Sequence, residues 1–320
     1  MPRWFACPVG PCLALALTAC QAVPEPWQHD SGTAHPLIGH IYRVADGTRV
    51  GEAELIADLG NADFVLIGER HDNLDHHRLQ TRIVQALQRD ARRPRALAFE
   101  MIAADRQIAI VEHLDAHPGD AAGLGAAVDW QSDGWPDWTL YEPIARAALA
   151  NGGQIVAADL DRAQKRAVFE QGPQALRSSF VQRTGLDQSL AASLTSDLRD
   201  ELDDAHCGLA PPQVLAGMYQ VQRGRDAMMA DRLAAASGRG GGILIAGNGH
   251  VRKDRGVPWY LARLKPGARV ATIALVEVKD DVRRLSRDLP YDYVWFTPRA
   301  DDLDPCANRE SELQRLRGSG

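Results

Sequence analysis

The chain predicts an α/β domain: a largely parallel sheet with helices on both faces and a helical insertion between the third and fourth strands. Three observations predict it. Short continuous apolar runs such as Phe64-Val65-Leu66-Ile67 end in Gly and polar residues, the pattern of strands buried on both faces. Stretches with apolar residues at helical spacing separate these runs, and such alternation implies right-handed crossovers onto one sheet. No internal repeat and no clean linker interrupts residues 38–300, which are read as one domain.

The N-terminus differs in kind. Arg3 precedes a short apolar segment over 13–17, and Leu17-Thr18-Ala19-Cys20 follows. Small residues before a cleavage point mark a secretory signal. The last four residues also have the form of a bacterial lipobox, in which Cys20 becomes the lipidated first residue. The alternative is a buried apolar helix with an incidental Cys, and Pro8, Gly10 and Pro11 make that helix poor. The expected organisation is a signal peptide over 1–19, a tether over 20–37, the domain over 38–300 and a mobile tail over 301–320. The chain is then anchored by lipid in a bacterial cell envelope, at the outer membrane facing the periplasm. No apolar run reaches the ~20 residues of a spanning helix. A net charge of −6 gives no support for nucleic-acid binding. Of five Cys, Cys207 and Cys306 remain beyond Cys20, and an oxidising compartment permits them to pair.

Residues 38–42 form a short strand and 52–58 a short helix. The first main strand spans 64–69. Asp72 or Asp75 can cap a helix over 76–88, whose Leu79, Ile83, Val84 and Leu87 share one side. A strand over 95–101 carries Glu100 near its tip, and a helix over 105–114 follows. A looser segment over 121–137 holds Trp130 and Trp135, with Trp138 just beyond. A helix over 141–150 ends at Asn151-Gly152-Gly153, as Asn and Gly stop helices. The strand over 154–159 ends at Asp159 and leads to a charged helix over 162–170. Residues 172–236 are helical and polar at first, without strand signals, and include a long helix over 213–236. Strands over 243–246 and 270–278 complete the core of the sheet. Residues 291–297 alternate and read as an edge strand.

Glu69, His71, Glu100 and His250 each fall at or just past the carboxyl end of a predicted strand, where open α/β sheets bind ligands. As a set they can hold a divalent metal or form an acid–base site; singly, each is as well explained as a cap or loop residue. Gly247-Asn248-Gly249 ahead of His250 permits close approach to the backbone, but its spacing is not that of a P-loop or dinucleotide fingerprint. On the long helix, Met218, Gln222, Asp226 and Met229 recur at three- and four-residue steps and suggest a face toward a cavity; a core stripe is the alternative. His206 and Tyr219 lie nearby, and either can ligate a metal or haem iron. The Trp-rich loop can wall a flat apolar ligand or fill the core. His29, His35 and His40 are read as solvated.

Taken in order, Leu66-Ile67-Gly68-Glu69-Arg70-His71-Asp72-Asn73, His76-His77, Ala98-Phe99-Glu100-Met101, His206-Cys207, Gln222 with Arg225-Asp226 and Met228-Met229-Ala230, and Ile245-Ala246-Gly247-Asn248-Gly249-His250-Val251-Arg252 resemble the ChaN-type haem-binding lipoproteins. That family lies in the Tiki-like superfamily, which also holds erythromycin esterases and metal-dependent proteases. The likeness runs over about residues 38–298. It implies an α/β domain with a helical part, haem binding linked to iron uptake, an outer-membrane haem receptor as partner and homodimers that enclose haem. It also carries an alternative, a metal-dependent hydrolase acting through Glu69, His71, Glu100 and His250. By position these four match the superfamily's polar rim. The haem set is then drawn from His206, Tyr219, Gln222, Asp226, Met229 and His250, with Arg70, Arg225 or Arg252 for the propionates. Arg70 departs from the smaller residue expected there, and can pair with Glu100 or a propionate.

Overall fold

The sheet accounts for most of the core, and its strand order follows from which segments are apolar on both faces. The structure, a computed structural model, describes residues 1, 26–90, 93–304 and 306–307. The signal peptide and Cys20 lie outside the described residues. In chain order the elements are β1 (Ile41–Arg43), β2 (Thr48–Val50), α1 (Glu52–Gly60), β3 (Phe64–Glu69), α2 (Leu74–Leu87), β4 (Ala96–Ala103), α3 (Gln107–Ala116), α4 (Ala121–Ala127) and α5 (Trp138–Leu149). There follow β5 (Ile155–Asp159), α6 (Arg162–Gln171), α7 (Ser178–Thr184), α8 (Ala192–Ala205), α9 (Pro212–Ala236), β6 (Gly242–Gly247), α10 (Val257–Leu264), β7 (Val270–Glu277) and β8 (Tyr293–Thr297).

The eight strands lie in the order β2-β1-β8-β7-β3-β6-β4-β5. From β8 to β5 every pairing is parallel; β1 joins β8, and β2 joins β1, antiparallel. All six residues of β3 are buried, because helices cover both of its faces. Alternate residues divide between two cores. Val65, Ile67, Leu97 and Phe99 pack with α1, α2, α4 and α5. Phe64, Leu66, Ala96 and Ala98 pack with α6, α9 and α10.

Several expectations change here. The strand read as an edge, β8, is internal and wholly buried, because the sequence did not reveal that β1 and β2 would extend the sheet beyond it. The edges are β2 and β5. The backbone edge of β5 is covered by one side chain: the Gln107 amide donates to the Ile155 carbonyl and accepts from the Ala157 amide, as a neighbouring strand would. The segment read as an insertion over 172–236 divides. Its last helix, α9, carries Ala227, Met229, Ala230 and Leu233 into the core against the sheet, and α7 adds Phe180 and Val181 to that core; α8 stands as a roof at the turn after β6, its Glu201 bonded to Arg255.

Further changes concern the start of α2 and the chain's ends. The cap of α2 is Asn73, whose side chain accepts from the Asp75 and His76 amides, rather than Asp72 or Asp75. Asp75 instead accepts from the backbone amides of Gln28 and His29, so the segment read as a tether is bound to the domain from there on. His29 and His35 are not solvated: His29 Nε2 accepts from the Leu74 amide and His35 is buried. The start of the tail is held too. Asp301 pairs with Arg70, and Cys306 is bonded to Cys207, with the two Cα atoms 5.6 Å apart.

Candidate functional site

Three strand tips meet at the carboxyl end of the sheet. Glu69 ends β3, and β6 lies directly beside it, with Glu69 opposite Gly247. Glu100 lies inside β4, where the pairing with β5 shifts between Phe99 and Ala103; such an irregularity re-aims a side chain out of the sheet's alternation. His250 follows the turn after β6. Gly68 makes the close packing feasible, because a Cβ there would collide with the side chain of Asn248 in that turn.

The side chains form one connected network. Glu69 accepts from His71 Nδ1 at 2.7 Å, Tyr141 hydroxyl at 2.8 Å and Gln80 Nε2 at 2.7 Å, and His77 Nδ1 stands 3.3 Å away. Glu100 accepts from Arg225 at 2.7 Å, lies 3.3 Å from His250 Nε2, and meets His71 Nε2 only at 3.8 Å. Its other oxygen accepts from the Gly247 amide at 2.6 Å. His250 Nδ1 donates to Asp226 at 2.6 Å, and the Gln222 amide touches the same nitrogen at 3.2 Å. Arg225 also grips Asp159, which Lys165 meets at 2.6 Å.

These contacts set the protonation states. Burial alone would raise the Glu69 carboxyl, but His77 and His71 hold it far below the carboxylate range. Glu100 is likewise held low against its own burial by His250 and Arg225. Burial lowers the imidazoles, yet Glu100 and Glu69 raise His71, Glu69 raises His77, and Glu100 with Asp226 lifts His250 to about 9. Burial pushes Asp226 up despite His250, so this pair holds a proton between its two members. His76 is the opposite case. Its Nδ1 accepts from the Arg70 amide and burial lowers it to about 3, so it is neutral.

Glu69, His71, Glu100 and His250 therefore converge as expected, together with Gln222 and Asp226. The arrangement is an ion-pair network, and among the described residues no group of three or more His, Cys, Asp or Glu is placed to hold a metal ion. The physical reason is visible: the oxygens of both glutamates are already satisfied, and the Arg225 guanidinium occupies the space between Glu100 and Asp159. One imidazole nitrogen remains available. His71 Nε2 lies beyond hydrogen-bond distance of Glu100, on a side chain 30% exposed, with Trp135 edge-on at 4.9 Å.

The other expected residues separate. Met229 is fully buried in the apolar core and His206 donates to the Leu202 carbonyl at the end of α8. Trp130 and Trp138 fill the core, so only Trp135 stands near the rim. Arg70 turns away from Glu100 to Glu277 at the end of the neighbouring β7, to Asp72 in its own loop and to Asp301 in the segment after β8. Arg252 pairs with Asp254, so none of the three arginines expected at propionates is unpaired.

Tyr219, one turn before Gln222, lines a separate cavity of about 490 Å³ with Val181, Leu186, Arg199, Gln220 and Arg223. Its ring is flanked by the Arg199 guanidinium at 5.3 Å and that of Arg223 at 5.8 Å. Arg199 faces the Tyr219 ring and makes no ion pair among the described residues, and the Gln220 Oε1 is buried with no hydrogen-bond partner among them. Sequence reading missed Arg199, Gln80 and Tyr141 as participants, and named His77 only within the pair His76-His77. The adjacent His76-His77 was the one available signal; the others carry no motif.

Comparison with known proteins agrees with this architecture. A solved structure described as cofacial haem binding to ChaN of Campylobacter jejuni is similar over 80% of this chain and 95% of its own, with a TM-score of 0.63 and 22% identity. The type III effector HopBA1 is a looser likeness, with a TM-score of 0.42 and 16% identity over 76% of this chain and 91% of its own. No curated protein matches. The model of the family described as "Haem-binding uptake, Tiki superfamily, ChaN" matches residues 55–261, well over half of the chain, and the protein belongs to that family.

Proposed function

We propose that this protein binds haem in the cavity beside Tyr219, as an envelope lipoprotein linked to haem and iron uptake. The observation that carries the reading is the composition of that cavity. A phenol, an unpaired guanidinium, an orphaned amide oxygen and the apolar walls Val181 and Leu186 meet in one space of about 490 Å³. Haem supplies an iron that accepts a Tyr or His ligand and propionates that seek cations. Tyr219 is the ligand in this reading, Arg199 and Arg223 hold the propionates, and α7 and α8 limit water. The volume is within the ~300–1,000 Å³ range of ligand sites. His250 is a poorer ligand, because both of its ring nitrogens already serve Asp226 and Glu100; His206, held through Nδ1 by the Leu202 carbonyl, does not line this cavity.

Hemin titration followed by absorbance tests this. Saturable uptake with a Soret shift is expected, and Tyr219→Phe should weaken it at least ~10-fold, or ~1.4 kcal/mol. His206→Ala should leave the spectrum unchanged. A Tyr219→Phe protein with the parent's spectrum and affinity sinks the assignment. Acylation of Cys20 belongs to the same reading; intact-mass measurement of membrane-extracted protein should find the acyl groups, and an unmodified Cys20 excludes the anchor. Dimers that share haem should appear as a doubling of mass by light scattering on adding hemin.

One observation favours a second activity. His71 is oriented by the buried Glu69 carboxylate through Nδ1 and turns Nε2 outward, the arrangement of a general acid or base. It requires no metal. If the rim cleaves esters or peptides, His71→Ala should lower turnover ~10²–10⁴-fold while a chelator has no effect. Unchanged turnover in His71→Ala rules the rim out.

A further inference from the structure

The place where the N-terminal segment meets the domain constrains how the domain faces a membrane. Arg78 donates to the Pro26 carbonyl at 2.8 Å, and Asp75 accepts from Gln28 and His29 at 2.8 and 3.1 Å. The Leu74 amide donates to His29 Nε2 at 3.0 Å, and Trp27 packs against the core. These contacts pin the segment to the first turn of α2, only a few residues beyond Glu69 and His71 at the carboxyl end of the sheet. From Pro26 back to Cys20 the chain is about six residues long, an extended reach of at most ~20 Å. A lipid on Cys20 therefore cannot lie far from this end of the domain.

A second feature stands at the same end. β8 runs parallel to β7 and β3, so the segment after Thr297 leaves the sheet there. It carries Leu303, 80% exposed, and through the Cys207–Cys306 bond it holds the loop between α8 and α9, with exposed Leu209. Apolar side chains offered next to a short anchor have an apolar solvent within reach. Of the acids at this end, Asp72 and Asp301 pair with Arg70, Asp302 with Arg299 and Asp133 faces Arg162, while Asp203, Asp204 and Asp304 near the two leucines make no ion pair among the described residues.

We propose that the carboxyl end of the sheet docks on a phospholipid bilayer, with the Leu303 and Leu209 segments against the headgroups. The His71 rim then lies on the membrane side. So does the Tyr219 cavity, because α9 starts at this end and runs back toward the start of β6. A flat, lipophilic ligand would pass between bilayer and protein without crossing bulk water. This rests on the acylation of Cys20 proposed above.

The test uses the lipoprotein extracted from membranes and returned to phosphatidylethanolamine–phosphatidylglycerol vesicles that carry a headgroup quencher. A fluorophore is placed on Arg162→Cys, at the start of α6 beside the strand tips, or on Lys265→Cys, in the exposed turn before the opposite end of β7. Strong quenching at Arg162→Cys with none at Lys265→Cys is expected, and Leu303→Glu with Leu209→Glu should reduce the first without unfolding the protein. Equal quenching at both positions, or more at Lys265→Cys, overturns the docking while leaving the anchor intact. Intact mass on the same preparation reads the anchor separately; an unacylated Cys20 overturns both.

Discussion

The rim and the cavity sit on one helix, three residues apart at Tyr219 and Gln222, and solve opposite problems. The rim is buried and saturated: four carboxylates face arginine, lysine and imidazoles with almost every polar atom satisfied. The cavity is open and unsaturated: among the described residues Arg199 has no ion pair and the Gln220 amide oxygen no hydrogen-bond partner. A saturated network holds its own geometry and tolerates no change, because removing one charge strands another in low dielectric. An unsaturated pocket gives up little when altered but has interactions to offer a guest. The difference teaches that the densest cluster of charged groups in a fold need not be where its ligand binds.

Substitutions should separate the two regions by size of effect. Arg225→Ala leaves Asp159 to Lys165 alone and Glu100 to His250 and the Gly247 amide, and should cost about 2–3 kcal/mol in denaturant unfolding, below the cost of a fully stranded charge. A loss under 1 kcal/mol would mean the rim is hydrated and not a closed network. Replacing Cys207 by Ser frees the roof helix α8 from the C-terminal segment; a bond that closes 99 residues should cost about 2–4 kcal/mol, and hydrogen exchange should rise in α8 before it rises in β3.

Acidity should act through His250 of the rim and through the buried His76 beside it. His250 is raised to about 9, so its contribution is complete below the unfolded value near 6.5 and is lost as pH rises from there to about 9. His76 is lowered to about 3, so its burial costs stability as pH falls from about 6.5 toward 3. Stability should peak between these limits and fall by on the order of 1–3 kcal/mol on each side. His250→Gln should flatten the alkaline limb; an unchanged limb refutes the assignment. Smallest of all, Arg199→Ala should alter stability by no more than ~0.5 kcal/mol, yet weaken hemin binding several-fold. Equal hemin affinity would remove Arg199 from the proposed site.

Much of this was readable in advance, and the rest was not, for a definite reason. Phe64–Glu69 had to be a buried strand, since an apolar run closed by Gly cannot be solvated and is too short for a buried helix. From it and the like runs over 95–101 and 243–246, Glu69, His71, Glu100 and His250 could be placed at strand tips. What local pattern could not supply was partnership across the chain. Tyr141 bonds Glu69 from 72 residues away and carries no motif. Met229 and Gln222 share a helix stripe, yet one enters the core and the other meets His250, because the neighbouring sheet and not the helical repeat decides which side is dry. Periodicity reports how a segment would bury itself. Whether a buried charge meets a proton, a guanidinium or a guest depends on which distant segment arrives opposite it, and here only the folded sheet settled that.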